Sequence, residues 1–168
     1  MRFLSKLALV ALLALGIMSA SHAQGLINPL LPVKGTKEVE LRGAFTFEPN
    51  DVFSVHASYG PFLDDARIQV GGLVNYSHSN SSDFYTLGVF ANYHFPSASQ
   101  LLPYVGVFVG LSDGDGTDST TSYGVQGGAK YFINSSVAFT GALVYRATDS
   151  DNSDDEFGLQ FGLAIYLR

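Results

Sequence analysis

The chain reads as all-β, an eight-stranded antiparallel up-and-down transmembrane β-barrel behind a cleaved signal peptide, and three observations predict it. Residues 156–167 alternate strictly, with Phe157, Leu159, Phe161, Leu163, Ile165 and Leu167 on one face and Glu156, Gly158, Gln160, Gly162, Ala164 and Tyr166 on the other. A period of two sustained over that length is a strand. The first 23 residues carry an export pattern, and the remainder of the chain divides into eight alternating segments punctuated by turn residues.

Export comes first along the chain. Arg2 and Lys6 make a positive start, Leu7 to Met18 form an apolar run, and Ser21-His22-Ala23 gives a small-x-small cleavage pattern before Gln24. The competing reading, an uncleaved anchor, fails on length, because twelve apolar residues cannot cross roughly 30 Å of hydrocarbon. The chain has no cysteine, which excludes a lipid-modified N-terminus, disulfides and thiol chemistry. Losing Arg2 and Lys6 leaves seven cationic side chains against fifteen acidic ones, a formal charge of −8. That balance argues against nucleic acid as a partner. Residues 24–37, with Pro29, Pro32 and Gly35, read as an extended periplasmic leader, and residues 38–168 as the barrel domain.

The strands are expected at about 38–48, 52–60, 66–77, 84–95, 102–111, 120–132, 136–147 and 156–167. Connections such as Pro49-Asn50-Asp51 and Ile133-Asn134-Ser135 hold the Pro, Asn, Asp and Ser that turns require. The first strand offers Val39, Leu41, Phe45 and Phe47 as its apolar face, the second Phe53, Val55, Ala57 and Tyr59, the third Ile68, Val70, Val74 and Tyr76. The fourth offers Tyr85, Leu87, Val89, Ala91, Tyr93 and Phe95, the sixth Tyr123, Val125, Ala129 and Tyr131, the seventh Val137, Phe139, Leu143 and Tyr145. Both faces of the fifth are apolar, so its orientation stays open. The longest uncharged apolar stretch, Leu101 to Leu111, contains Pro103 and is too short for a membrane helix, so insertion must use strands.

Which face points inward separates a membrane barrel from a soluble periplasmic barrel that binds an apolar ligand in its core. A soluble surface is roughly a quarter or more charged, whereas here 14% of all residues are charged and many lie in connections. The polar strand faces are Gly, Ser, Thr, Ala, Asn and Gln, which suit a narrow packed interior. No charge interrupts the middle of an apolar face, where one Arg or Lys facing lipid would cost about 2–4 kcal/mol. Aromatics gather toward strand ends (Phe47, Tyr59, Tyr76, Tyr93, Phe95, Tyr104, Tyr123, Tyr131, Tyr145, Tyr166), as interfacial girdles do. The expected lumen network is Glu40, Arg42, His56, Arg67, Gln69, Gln126, Lys130, Arg146, Glu156 and Gln160. Its ionisable members, four cations against two acids, should pair with one another, and either water and nearby loop carboxylates complete the set or some of these groups lie at the barrel mouth.

Two stretches, Leu102-Pro103-Tyr104-Val105-Gly106-Val107-Phe108-Val109-Gly110 and Tyr123-Gly124-Val125-Gln126-Gly127-Gly128-Ala129-Lys130-Tyr131-Phe132, resemble the fifth and sixth strands of the small OmpA-like and OmpX-like outer-membrane β-barrels. The C-terminus also resembles the signal read by the barrel-assembly machinery, with Gln160, Gly162, Ile165 and Leu167 at its positions and Tyr166-Leu167-Arg168 in place of the commoner terminal Phe. The resemblance implies an integral outer-membrane protein with a structural or surface-interaction role, in contact with outer-membrane lipid, delivered by that machinery, with both termini periplasmic. Loops 79–83, 112–119 and 148–155 would then be external. Their Asp113, Asp115, Asp149 and Asp151 are candidates for weak divalent-cation contact, against the plainer reading of solvated surface charge. Asp154 stands where the sharp-turn Gly of a calcium loop belongs, and Gln160 where its bidentate Glu belongs.

A small outer-membrane lipid-modifying enzyme is the remaining alternative. His56 and Ser58 share a face, and His78-Ser79-Asn80 is a second cluster. The first pair is expected in the lumen, out of reach of lipid, and neither cluster has an obvious acid to orient its imidazole. No phosphate loop, zinc spacing or nucleotide fingerprint is present. No catalysis and no cofactor are expected.

Overall fold

A computed structural model describes residues 31–48, 52–63, 67–79, 82–114, 117–149 and 155–168; the export signal and the first part of the leader lie outside the described residues. Eight strands run in order: β1 Lys37–Glu48, β2 Val52–Leu63, β3 Ile68–Ser79, β4 Ser82–His94, β5 Leu101–Gly114, β6 Thr117–Asn134, β7 Val137–Thr148 and β8 Glu156–Leu167. Each pairs antiparallel with its neighbour, and β8 returns to β1 through pairs such as Leu41 with Leu163, closing the sheet. Closure removes every edge and satisfies the backbone internally, as a hydrocarbon environment requires.

β5 and β6 run further than the sequence suggests, because Ser112 pairs with Thr120 and Gly114 with Thr117. These polar residues resemble turn residues in sequence but continue the ladder beyond the apolar band. β2 likewise continues through Pro61 and Phe62, and Gly35 (φ 86°) turns the leader so that its N–H reaches the Phe62 carbonyl at 2.9 Å.

The apolar faces point outward. Leu87 is 69% exposed, Leu41 57% and Leu163 44%, whereas Gln126 is 5% exposed and Lys130 fully buried. This overturns the soluble ligand-binding barrel, which needs the opposite arrangement. β5 is settled too: Leu102 and Tyr104 are buried and Phe108 packs inside, while Val107, Val109 and Leu111 face out.

The bore is narrow and filled. Gly128 and Gly162 face inward where adjoining strands crowd: a Cβ on Gly162 would strike the Leu41 carbonyl and the Arg42 Cα, and one on Gly128 the Gly141 carbonyl and Ala142. At the end carrying Lys37 and Leu167, Phe62, Leu102, Phe132, Ala138, Ala164 and Tyr166 form an apolar stopper, and Leu31 of the leader packs against it. We call this the closed end. Three aromatics assigned to girdles are buried instead: Tyr104 and Tyr166 point into the bore, and Tyr145 lies covered beside Asp155, to which its hydroxyl donates at 2.6 Å.

Candidate functional site

Just beyond the stopper, polar side chains from four strands join across the lumen in one closed circuit. β1 supplies Glu38, Glu40 and Arg42, because alternate residues of a strand share a face. Lys130 of β6 reaches across the bore to Glu38, Nζ to Oε1 at 2.5 Å and to Oε2 at 2.7 Å. Gln69 of β3 donates to Glu38 at 3.0 Å, Asn92 of β4 donates to Gln69 at 3.2 Å, and Gln126 of β6 donates to Asn92 at 2.8 Å. Arg42 Nη1 donates to Gln126 at 2.9 Å, and its Nε lies 3.4 Å from Glu40 Oε1. Glu40 Oε2 stands 3.7 Å from Lys130 Nζ, and the ring closes.

This circuit does two things physically. It gives each buried charge an opposite charge, without which burial costs several kcal/mol per ion. It also ties non-adjacent walls, β1 to β6, which backbone pairing alone does not do. Two positions revise the expected network. Arg67 is exposed, because it sits in the turn before β3, where strand alternation has not begun. Glu38, absent from the expected network although it precedes Glu40 by two residues, is buried at the centre. With Arg146 paired to Glu156 at 3.4 Å at its mouth, the bore holds Arg42, Lys130 and Arg146 against Glu38, Glu40 and Glu156. The expected excess of cations disappears.

Arg42 Nη2 also contacts His56 Nε2 at 3.1 Å. A guanidinium can only donate, so Nε2 accepts and the proton sits on Nδ1. His56 is thereby engaged with Arg42 rather than poised as a base for Ser58. Toward the other end the lumen holds a small pocket, partly open to solvent, lined among others by His56, Leu73, Phe90, Phe108, Arg146 and Gln160. Arg146 lies over the Phe108 ring, 5.8 Å from its centroid. We call this the open end. Phe108 is hidden from sequence because both faces of β5 are apolar, whereas Leu73 and Phe90 are apolar residues on the mostly polar or small inward faces of β3 and β4.

The second histidine cluster lies at the rim of the open end. His78 Nδ1 stands 2.8 Å from Asp83 Oδ1, which also accepts from the Tyr76 hydroxyl at 2.9 Å. His78 thus has an acid partner that is not obvious in the sequence, brought from β4 by pairing across the β3–β4 turn. The Ser79 side chain and Asn80 lie outside the described residues. Of the carboxylates considered for cation contact, Asp113 accepts from the Gly114 N–H at 3.0 Å and Asp149 donates its N–H to the Thr121 carbonyl at 2.8 Å. Asp115 and Asp151 lie outside the described residues. At the assembly-signal positions, Gln160 points inward, Ile165 and Leu167 outward, and Gly162 sits at the β1–β8 seam.

A family model described as the outer membrane protein beta-barrel domain matches residues 31–165. No curated protein matches the chain. Among solved structures, Neisserial surface protein A is 16% identical with a TM-score of 0.61, over 77% of this chain and 94% of its own. The N-terminal β-barrel domain of Pseudomonas aeruginosa OprF is 16% identical with a TM-score of 0.62, over 81% of this chain and all of its own. The outer membrane enzyme PagL is 10% identical with a TM-score of 0.53, over 76% of this chain and 98% of its own. At these identities the likeness shows the fold alone.

Proposed function

Because the chain belongs to the outer-membrane-protein β-barrel family, we propose that it is an integral outer-membrane protein with a structural or surface-interaction role and no catalysis. The observation that carries this reading is the inversion of polarity. Hydrocarbon-compatible residues cover the outside of the cylinder while ions and amides fill it, which is stable only where acyl chains replace water. The filled bore supports a structural rather than a conducting role. The barrel-assembly machinery reads the C-terminal strand through Gln160, Gly162, Ile165 and Leu167. Fractionation tests the proposal. The protein should sediment with outer membranes, resist carbonate extraction and migrate faster on gels when unheated; recovery as a soluble periplasmic protein without detergent would refute it.

One observation favours a second reading, a lipid hydrolase, since His78 and Asp83 form an oriented pair at an exposed rim and PagL shows that this fold accommodates an enzyme. No hydroxyl is placed against that imidazole among the described side chains. If His78→Ala leaves the acylation of outer-membrane lipid unchanged, this second reading fails; a change would displace the non-catalytic one.

A further inference from the structure

The charged residues outside the lumen are segregated along the barrel axis. The closed end carries Lys34, Lys37, Arg67 and Arg168, all exposed. Its only carboxylate side chains in the sequence outside the bore are Asp64 and Asp65, in the β2–β3 connection. Every other carboxylate outside the bore belongs to the strand ends and connections of the open end, where Arg146 is the sole Lys or Arg in the sequence. One rim is therefore net cationic and the other strongly anionic.

The cations also stand at a defined depth. Tyr59, Tyr93 and Tyr131 face outward near the closed end, and Tyr85 and Tyr123 near the open end. On both β4 and β6 the two tyrosine levels are eight residues apart. At about 3.4 Å per residue and a strand tilt of about 40°, that places the levels about 20 Å apart along the axis, close to the roughly 25 Å apolar band of such barrels. Tyrosines mark the boundary between hydrocarbon and headgroups. Lys37 lies two residues beyond Val39, the partner of Tyr59, and Arg67 one residue beyond Ile68, the partner of Tyr93. These side chains thus sit just past the tyrosine level, where lipid phosphates lie. Lys and Arg reach such phosphates by extending along the surface.

We propose that the closed-end rim is a binding surface for anionic phospholipid headgroups, with Lys34, Lys37 and Arg67 supplying the contacts. The inference rests on the membrane reading above. It selects the leaflet that this rim faces, because a basic residue near an anionic surface gains about 1 kcal/mol, while the acidic rim is repelled by the same lipid.

The test uses the full-length mature protein folded into phosphatidylcholine vesicles carrying spin-labelled phosphatidylglycerol or spin-labelled phosphatidylcholine at 0.1 M salt. Association with the anionic lipid should exceed that with the zwitterionic one by about fivefold, the equivalent of one such contact. The ratio should fall toward one in 1 M salt and in K34Q/K37Q/R67Q, which keeps Arg168 because its side chain donates to the Leu31 carbonyl at 3.1 Å. Equal association of both lipids with the wild-type protein overturns the proposal, and so does a preference that survives in the variant. Should the chain enter no vesicle at all, the membrane reading itself fails and the proposal falls with it.

Discussion

Glu38 and Lys130 are the residues on which the interior turns. Both are buried, they meet in a two-pronged contact, and each serves a further partner, Gln69 and Glu40 respectively. Removing one member leaves the other charged in a dry lumen, so Lys130→Met should lower the folding stability by about 3–5 kcal/mol, read by urea titration of the protein folded in vesicles. The double variant E38L/K130M should recover most of that loss, because two apolar residues of similar size need no partner. A single variant as stable as the wild type would show that the pair is not closed in the folded protein. Residue placement is legible wherever alternation is unbroken: Glu40, Arg42, Gln126, Lys130 and Gln160 all follow from parity alone. Parity fails at Arg67, one residue beyond the strand, and it is silent on the long-range pairing of β1 with β6 side chains, which no local pattern encodes.

At the scale of the strand, the two faces obey different rules. On the outside any apolar residue serves, and a charge does not: Leu163→Arg, near the middle of β8, should cost about 2–4 kcal/mol, and Leu167→Arg near its end about 0–1. Equal costs at the two positions would contradict the depth assigned to β8. Inside, shape decides. Gly162→Val drives its Cβ into the β1 backbone and should prevent or strongly slow formation of the heat-modifiable form, while Gly43→Ala, whose Cβ meets nothing within 4 Å, should fold like the wild type. Strict alternation makes β8 and β4 readable in the sequence. β5 is not, because an apolar residue is admissible on its lumen side too: Leu102, Tyr104 and Phe108 act as bulk filler. The polar tips of β5 and β6 look like turn for a related reason, since Ser, Thr and Gly suit a ladder in water as well as a loop.

The whole molecule is a cylinder stoppered at one end and partly open at the other. The apolar cluster of Phe62, Leu102, Phe132 and Tyr166 and the ionic circuit above it block the path in series. Planar bilayers containing the protein should therefore show no large, steady currents; sustained single-channel steps would mean that stopper and circuit open together. The architecture is legible because eight apolar stripes of similar length, set between turn residues and preceded by an export signal, fit few other closed sheets. The stopper is not, since closure alone decides which inward-facing aromatics from distant strands meet.

Which side of each strand meets acyl chains decides all the rest. The chain has no cysteine, so single cysteines carrying a nitroxide can be placed at Leu159, Gln160, Phe161, Leu163, Ala164 and Ile165 of the vesicle-inserted protein. Collision with dissolved oxygen should be high at Leu159, Phe161, Leu163 and Ile165 and low at Gln160 and Ala164, while a water-soluble metal chelate does not reach Phe161 or Leu163 in the middle of the strand. Free access of that chelate to Phe161 and Leu163, with oxygen no more effective there than at Gln160, would contradict the membrane-facing assignment.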